Sequence, residues 1–128
     1  MSVERAGDAS PWERAAGSAR AVAAGDLVLV GGTMPPAAGS SGGDPYEQAR
    51  SALTEAVAAL EPFGLGVASV VRTRIYISHA RDAEDVGRAH MELFGEVRPV
   101  TTLVLVAGFA DSRTLVEVEL EAYRGAAT

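Results

Sequence analysis

Only two stretches of this 128-residue chain space their apolar residues as a helix does, while five others read as strands. Two amphipathic helices can cover one face of such a sheet and no more. The other face must meet water or another protein surface. What that face carries therefore bears most directly on function.

The elements follow from local pattern. Ala21-Val22-Ala23, the turn Ala24-Gly25-Asp26, and Leu27-Val28-Leu29-Val30 read as a hairpin that Gly31 and Gly32 end. Asp44-Pro45-Tyr46-Glu47 opens the first helix: Asp44 accepts from free amides, Pro45 suits the first helical position, and Glu47 completes a box-like pair. Ala49, Leu53, Ala56, Val57 and Leu60 form its apolar stripe, and Pro62 and Gly64 stop it. Residues 69–78 alternate as a strand. Val71, Thr73, Ile75 and Ile77 are expected on the helix-covered face, with Val70, Arg72, Arg74 and Tyr76 opposite. The second helix is predicted over about 82–94, with Val86, Ala89, Leu93 and Phe94 inward and Gly95 as its cap. Strands at about 101–107 and 115–123 complete the order ββαβαββ, an α+β arrangement in a single domain, 1–128. Residues 1–18 are polar and aperiodic, a loose arm with Trp12 as its strong apolar anchor. Residues 35–44 are small and polar, a surface loop without the spacing of a phosphate cradle.

Composition removes several classes of function. Net charge is −6 and no basic stripe interrupts it, so nucleic acid is not the expected partner. The absence of cysteine excludes disulfides, thiolate metal sites and cysteine nucleophiles. His79 and His90 have no carboxylate at metal-ligand spacing, so neither a metal nor another cofactor is expected. No apolar run approaches the roughly 18 residues of a membrane span, and the first ten residues lack the pattern of a secretory signal. A soluble cytoplasmic protein is the expectation.

The uncovered face holds the chemistry. Val116, Val118 and Leu120 share the helix-covered side of the last strand, which leaves Glu117, Glu119 and Glu121 opposite, with Arg72, Arg74 and Tyr76. One reading is a solvated surface of cross-strand charge pairs, each contributing about 0.2–1 kcal/mol. The other is a polar cleft at a subunit boundary, where one glutamate positions water or moves a proton. Thr101 and Thr102 point to opposite faces, and a catalytic threonine would need a base that is not visible locally.

Several of these pieces, in this order, resemble the RidA/YjgF family of reactive-intermediate deaminases, also labelled L-PSP. They are the hairpin through Gly31-Gly32-Thr33-Met34-Pro35, the strand Val70 to Tyr76, Phe94-Gly95-Glu96 with Arg98-Pro99, and Leu115-Val116-Glu117-Val118-Glu119. The resemblance spans about residues 16–123. It implies a chorismate-mutase-like fold with one mixed sheet, two helices on one face, and a homotrimer with clefts between subunits. It also implies hydrolysis of enamines and imines such as 2-aminoacrylate, with a glutamate orienting water and an arginine gripping the substrate carboxylate. Glu117 matches the glutamate. Thr101 stands where the family has arginine, Ser18 aligns with a tyrosine near the cleft, and Gly87 aligns with an asparagine on the second helix. Classical 2-imino-acid deamination is thereby placed in question, with Arg74 or Arg98 as replacement cations and Thr101 as a substrate contact. The alternatives are a trimer that binds a small metabolite without turnover, or a ribonuclease, which the acidic charge disfavours.

Overall fold

The computed structural model describes residues 2–6, 10–36 and 43–125. Among them the chain forms β1 (Val3–Ala6), α1 (Pro11–Ala16), β2 (Ala21–Ala24), β3 (Leu27–Thr33) and α2 (Pro45–Ala58). Then come β4 (Val70–Ile77), α3 (Ala83–Phe94), β5 (Val100–Leu105) and β6 (Val116–Tyr123). The strands make one mixed sheet in the order β1-β2-β3-β6-β4-β5, parallel only between β4 and β5. The α+β class follows. No described helix is long and apolar enough to cross a membrane.

The core lies between the sheet and the two longer helices. Asp44 caps α2 by accepting the Glu47 amide at 2.8 Å, and Pro45 follows at the first helical position. Ala49, Ala52, Leu53 and Ala56 are fully buried along this helix, and their small side chains bring its backbone close to the sheet. Val86, Ala89 and Phe94 of α3 complete the layer against Val28, Val30, Ile75, Ile77, Val116, Val118 and Leu120. Each such buried aliphatic or Phe side chain contributes about 1.5–3 kcal/mol.

The structure departs from expectation in three places. Within the segment expected as a loose arm, Val3–Ala6 pairs antiparallel with β2, and Pro11–Ala16 forms a short helix. A reciprocal box holds that helix: the Ser10 amide donates to Glu13 Oε1 at 2.7 Å, and the Glu13 amide donates to Ser10 Oγ at 3.1 Å. Gly17 closes it in the left-handed region at φ 77. Trp12 is 72 % exposed, so it does not anchor the arm. The element order becomes βαββαβαββ. Second, Val70 is buried and Val71 exposed, the reverse of the alternation. The register against β6 shifts between Val70 and Arg72, so β4 carries one extra residue there and changes face. Third, Gly95 ends α3 at φ −58 without entering the left-handed region, which Arg98 enters instead at φ 56. Of the expected surface loop, residues 37–42 lie outside those described.

One buried side chain sets the entry to β6. Gln48 on α2 donates to the carbonyls of Gly43 at 3.2 Å and Arg113 at 2.9 Å, and accepts the Leu115 amide at 2.7 Å. Gln48→Leu leaves the Arg113 carbonyl and Leu115 amide without that partner, each costing about 1–3 kcal/mol. The expected result is a loss of about 2–4 kcal/mol, read as a lower urea midpoint at unchanged m-value.

Candidate functional site

The β4–β6 register sorts the charges of the bare face. Arg72 lies opposite Glu121, Arg74 opposite Glu119, and Tyr76 opposite Glu117. Arg72 Nε is 3.9 Å from Glu121 Oε2, and Arg74 donates directly to Glu119 Oε1. The Tyr76 hydroxyl reaches diagonally to the same Glu119 oxygen at 2.9 Å. Two of the three carboxylates thus have guanidinium partners. Glu117 has none among the described residues. Its carboxyl pKa is raised above the ordinary value, first by burial and then by repulsion from Glu119.

Gly32 gives that carboxylate its seat. The β3–β6 register shifts between Val30 and Thr33, so Gly31 and Gly32 together oppose Glu119. A Cβ built on Gly32 would collide with Glu117 Oε2. Any side chain at residue 32 would therefore push the carboxylate away. Glu117 faces a cavity of about 590 Å³ whose wall includes Trp12, Glu13, Arg20, Met34, Pro35 and Phe109. A shallower recess continues past Gly108 to Tyr76 and Glu119. A cavity of this volume is large enough for a small molecule beside one half-buried, unpaired carboxylate, the arrangement that general-base activation of water needs.

The other expected site residues lie elsewhere on the same chain. Thr101 is on the edge strand β5, opposite Thr73, on the helix side of the sheet. Its hydroxyl is 2.8 Å from Thr73 Oγ1 and 3.3 Å from His90 Nε2, and His90 is itself 2.8 Å from Thr73 Oγ1. Burial lowers the His90 pKa and favours the neutral imidazole. Gly87 and Arg98 line a groove with His90, Met91 and Pro99. Arg74 lines a separate recess with Arg72, Glu119 and Glu121. Ser18 is exposed, and its hydroxyl reaches only the Ala19 carbonyl, at 3.5 Å. Within one chain none of these five residues lines the cavity of Glu117.

Two features escaped the sequence reading. The base beside Thr101 is His90, contributed by a different element. Arg20, Glu13 and Trp12 join Glu117 because the short helix α1 packs where a loose arm was expected. A signal for Arg20 was present: hairpin pairing carries it to the level of Gly31, whose amide donates to the Arg20 carbonyl at 3.1 Å.

Comparison with known proteins supports the family and the fold. The family model described as Endoribonuclease L-PSP matches residues 10–124. An uncharacterized protein of Streptomyces coelicolor is 57% identical over 126 residues, covering 97% of this chain and 94% of its own. A crystal structure from Mycobacterium tuberculosis, described as a member of the YjgF/YER057c/UK114 family, is 39% identical with a TM-score of 0.87. The match covers 95% of this chain and 99% of that one. The YjgF gene product of E. coli superposes with a TM-score of 0.72 at 26% identity, over 83% of this chain and 87% of its own.

The raised carboxyl of Glu117 has a consequence for stability. The native state holds this proton more tightly than the unfolded chain. Stability from this group is therefore intact below the ordinary value of 4.5 and falls as pH rises through the window up to the higher folded value. Glu117→Gln removes a desolvated charge, so the variant is expected to melt above wild type at pH 7. The gap should close as pH falls through the ordinary carboxylate range, as differential scanning calorimetry across a pH series would show.

Proposed function

The chain belongs to the L-PSP family, the RidA/YjgF family its motifs resemble, and on that premise we propose that it hydrolyses the C=N bond of small reactive enamines and imines. The observation that carries this reading is Glu117, a half-buried carboxylate left without a cation while its neighbours Glu119 and Glu121 are neutralised. Burial, and then the Glu119 charge, raise its pKa above the ordinary carboxylate value, which makes it a stronger base than an exposed carboxylate.

The steps balance without a cofactor. Water held by Glu117 attacks the imine carbon, and Glu117 takes the proton as the new C–O bond forms. The electron pair of the C=N bond moves to nitrogen. The same carboxyl returns that proton to nitrogen, giving a carbinolamine. It then takes the hydroxyl proton and delivers it to the amine, so that the C–N bond breaks and ammonia leaves as the carbonyl forms. An enamine enters the same route once its β-carbon gains a proton.

The reading includes a homotrimer in the cytoplasm, with the cleft shared between copies. Exposed apolar side chains at Val71, Val100, Leu103 and Leu105 support burial of this edge by another copy. Thr101, Gly87 and Arg98 would then approach the cleft from the neighbouring chain, and Ser18 would border it. The ribonuclease reading is disfavoured by Arg72 and Arg74, whose charges are already paired with Glu121 and Glu119. Storage of a metabolite without turnover remains the second reading. It draws on Thr101, whose hydroxyl is engaged by Thr73 and His90 and brings no charge to a substrate.

Imines made in situ by an amino-acid oxidase, with semicarbazide as competing trap, test the proposal. Wild-type protein is expected to lower semicarbazone yield by accelerating ammonia release. Glu117→Ala should lose about 10²–10⁴-fold of that acceleration, and Gly32→Ala about tenfold or more by displacing the carboxylate. Equal rates for wild type and Glu117→Ala would overturn the hydrolase reading. Ligand-dependent stabilisation without product would favour the storage reading.

A further inference from the structure

We propose that Arg20 is the anion-binding residue of the Glu117 cavity, and that the cavity takes acids with an apolar body. This rests on the hydrolase reading above and names its substrate class and its anchoring residue.

Arg20 is the one cationic side chain that lines this cavity among the described residues. The period of β2 places it correctly. Ala21 and Ala23 are buried on the helix side, so Arg20 belongs to the opposite face, the face of Glu117. Arg20 pairs with Gly31 on β3, and β6 is the next strand. Two strand spacings bring Arg20 to the level of Glu119, and Glu117 lies two residues further along β6, so the backbones of Arg20 and Glu117 are roughly 12 Å apart. That interval suits a small acid held at one end with its reactive carbon at the other.

The guanidinium is also held in place. Its side chain is 26 % exposed, and one terminal nitrogen lies 3.6 Å from Glu13 Oε1. Glu13 is buried, and the same oxygen accepts the Ser10 amide in the box that opens α1. A single long contact occupies a small part of a five-donor fork, so a second edge remains for a ligand carboxylate. Glu13 is thus a positioning residue, and Arg20 the group that touches ligand.

The remaining wall specifies the ligand's body. Trp12, Met34, Pro35, Pro36 and Phe109 supply apolar surface and no charge. A three-carbon acid would leave most of it wet, whereas a branched or aromatic side chain would cover it. The other cations are poorly placed for this task. Arg74 donates to Glu119, and Arg98 borders a different groove.

Isothermal titration with 4-methyl-2-oxopentanoate, its neutral amide and pyruvate tests the proposal on the full chain, using product-like probes. Wild type should bind the branched acid at least about tenfold tighter than the amide and than pyruvate. Arg20→Gln should lose about 10- to 100-fold for the acid and keep its affinity for the amide, which also reports an intact fold. Arg20→Lys should fall between, because a point charge replaces a fork. Glu117→Gln should keep acid binding while losing turnover. Undiminished acid binding by Arg20→Gln, or equal affinity of wild type for acid and amide, overturns the role of Arg20. Pyruvate binding as tightly as the branched acid overturns the apolar body. Loss of the hydrolase reading would appear instead as unchanged turnover in Glu117→Ala.

Discussion

The register between β4 and β6 governs this structure. A strand has two faces, and a slip of one residue exchanges them. Val70 pairs with Ala122 on the helix side, and the extra residue at Val71 resets the count so that Arg72 meets Glu121, and Arg74 meets Glu119, on the bare side. The core keeps Thr73, Ile75 and Ile77 inward through the same shift. Packing and electrostatics are therefore set together: the alignment that buries the aliphatic side chains also fixes which carboxylates receive a cation. Glu117 is opposite Tyr76, and it is left over.

That remainder is costly to the fold. The Arg72–Glu121 and Arg74–Glu119 pairs are partly exposed, and contacts of that kind contribute about 0–1 kcal/mol each. Glu117 has burial and a like-charged neighbour against it, with no pair to offset either. A sheet selected only for stability would place a neutral residue there. The second bulge, at Gly31 and Gly32, goes further by clearing space in which the carboxylate rests against backbone. The β3 bulge lies beside this unpaired acid, and the β4 bulge sets the register that leaves it opposite Tyr76, a local conflict of the kind that marks a candidate functional position.

Much of this was legible in sequence, and the boundary has a physical basis. Asp44 and Pro45 announced α2 because capping is local chemistry. Glu117, Glu119 and Glu121 were assigned to the bare face because period two holds along an unbroken strand. Val70 and Val71 were exchanged because a bulge depends on the partner strand, which alternation in one segment does not record. The arm from Val3 to Ala16 looked loose because β1 buries almost nothing and is held by backbone pairing at a sheet edge, with Arg124 against Glu4 at 2.6 Å. The Thr101–His90 contact and the cavity shared by Arg20 and Glu117 are tertiary, and only the folded chain brings them together.

Thr101 shows how the charge of the site is redistributed. The resemblance places an arginine at this position; here three neutral groups, Thr73, His90 and Thr101, satisfy one another's hydrogen bonds. Burial favours the neutral form of His90, so the cluster offers chiefly polarity. On the proposed reading, recognition of an anion then comes from elsewhere, and Arg72 and Arg74 are committed to Glu121 and Glu119. Arg20 escapes that pairing because its carboxylate partner, Glu13, belongs to the N-terminal segment and not to β6. On that reading the arm is part of the site: the box that opens its short helix seats the acid that steadies the guanidinium. Removing the arm would leave Glu117 in place and its cavity without an oriented cation, so on the proposed reading water activation and substrate selection rest on different parts of the chain.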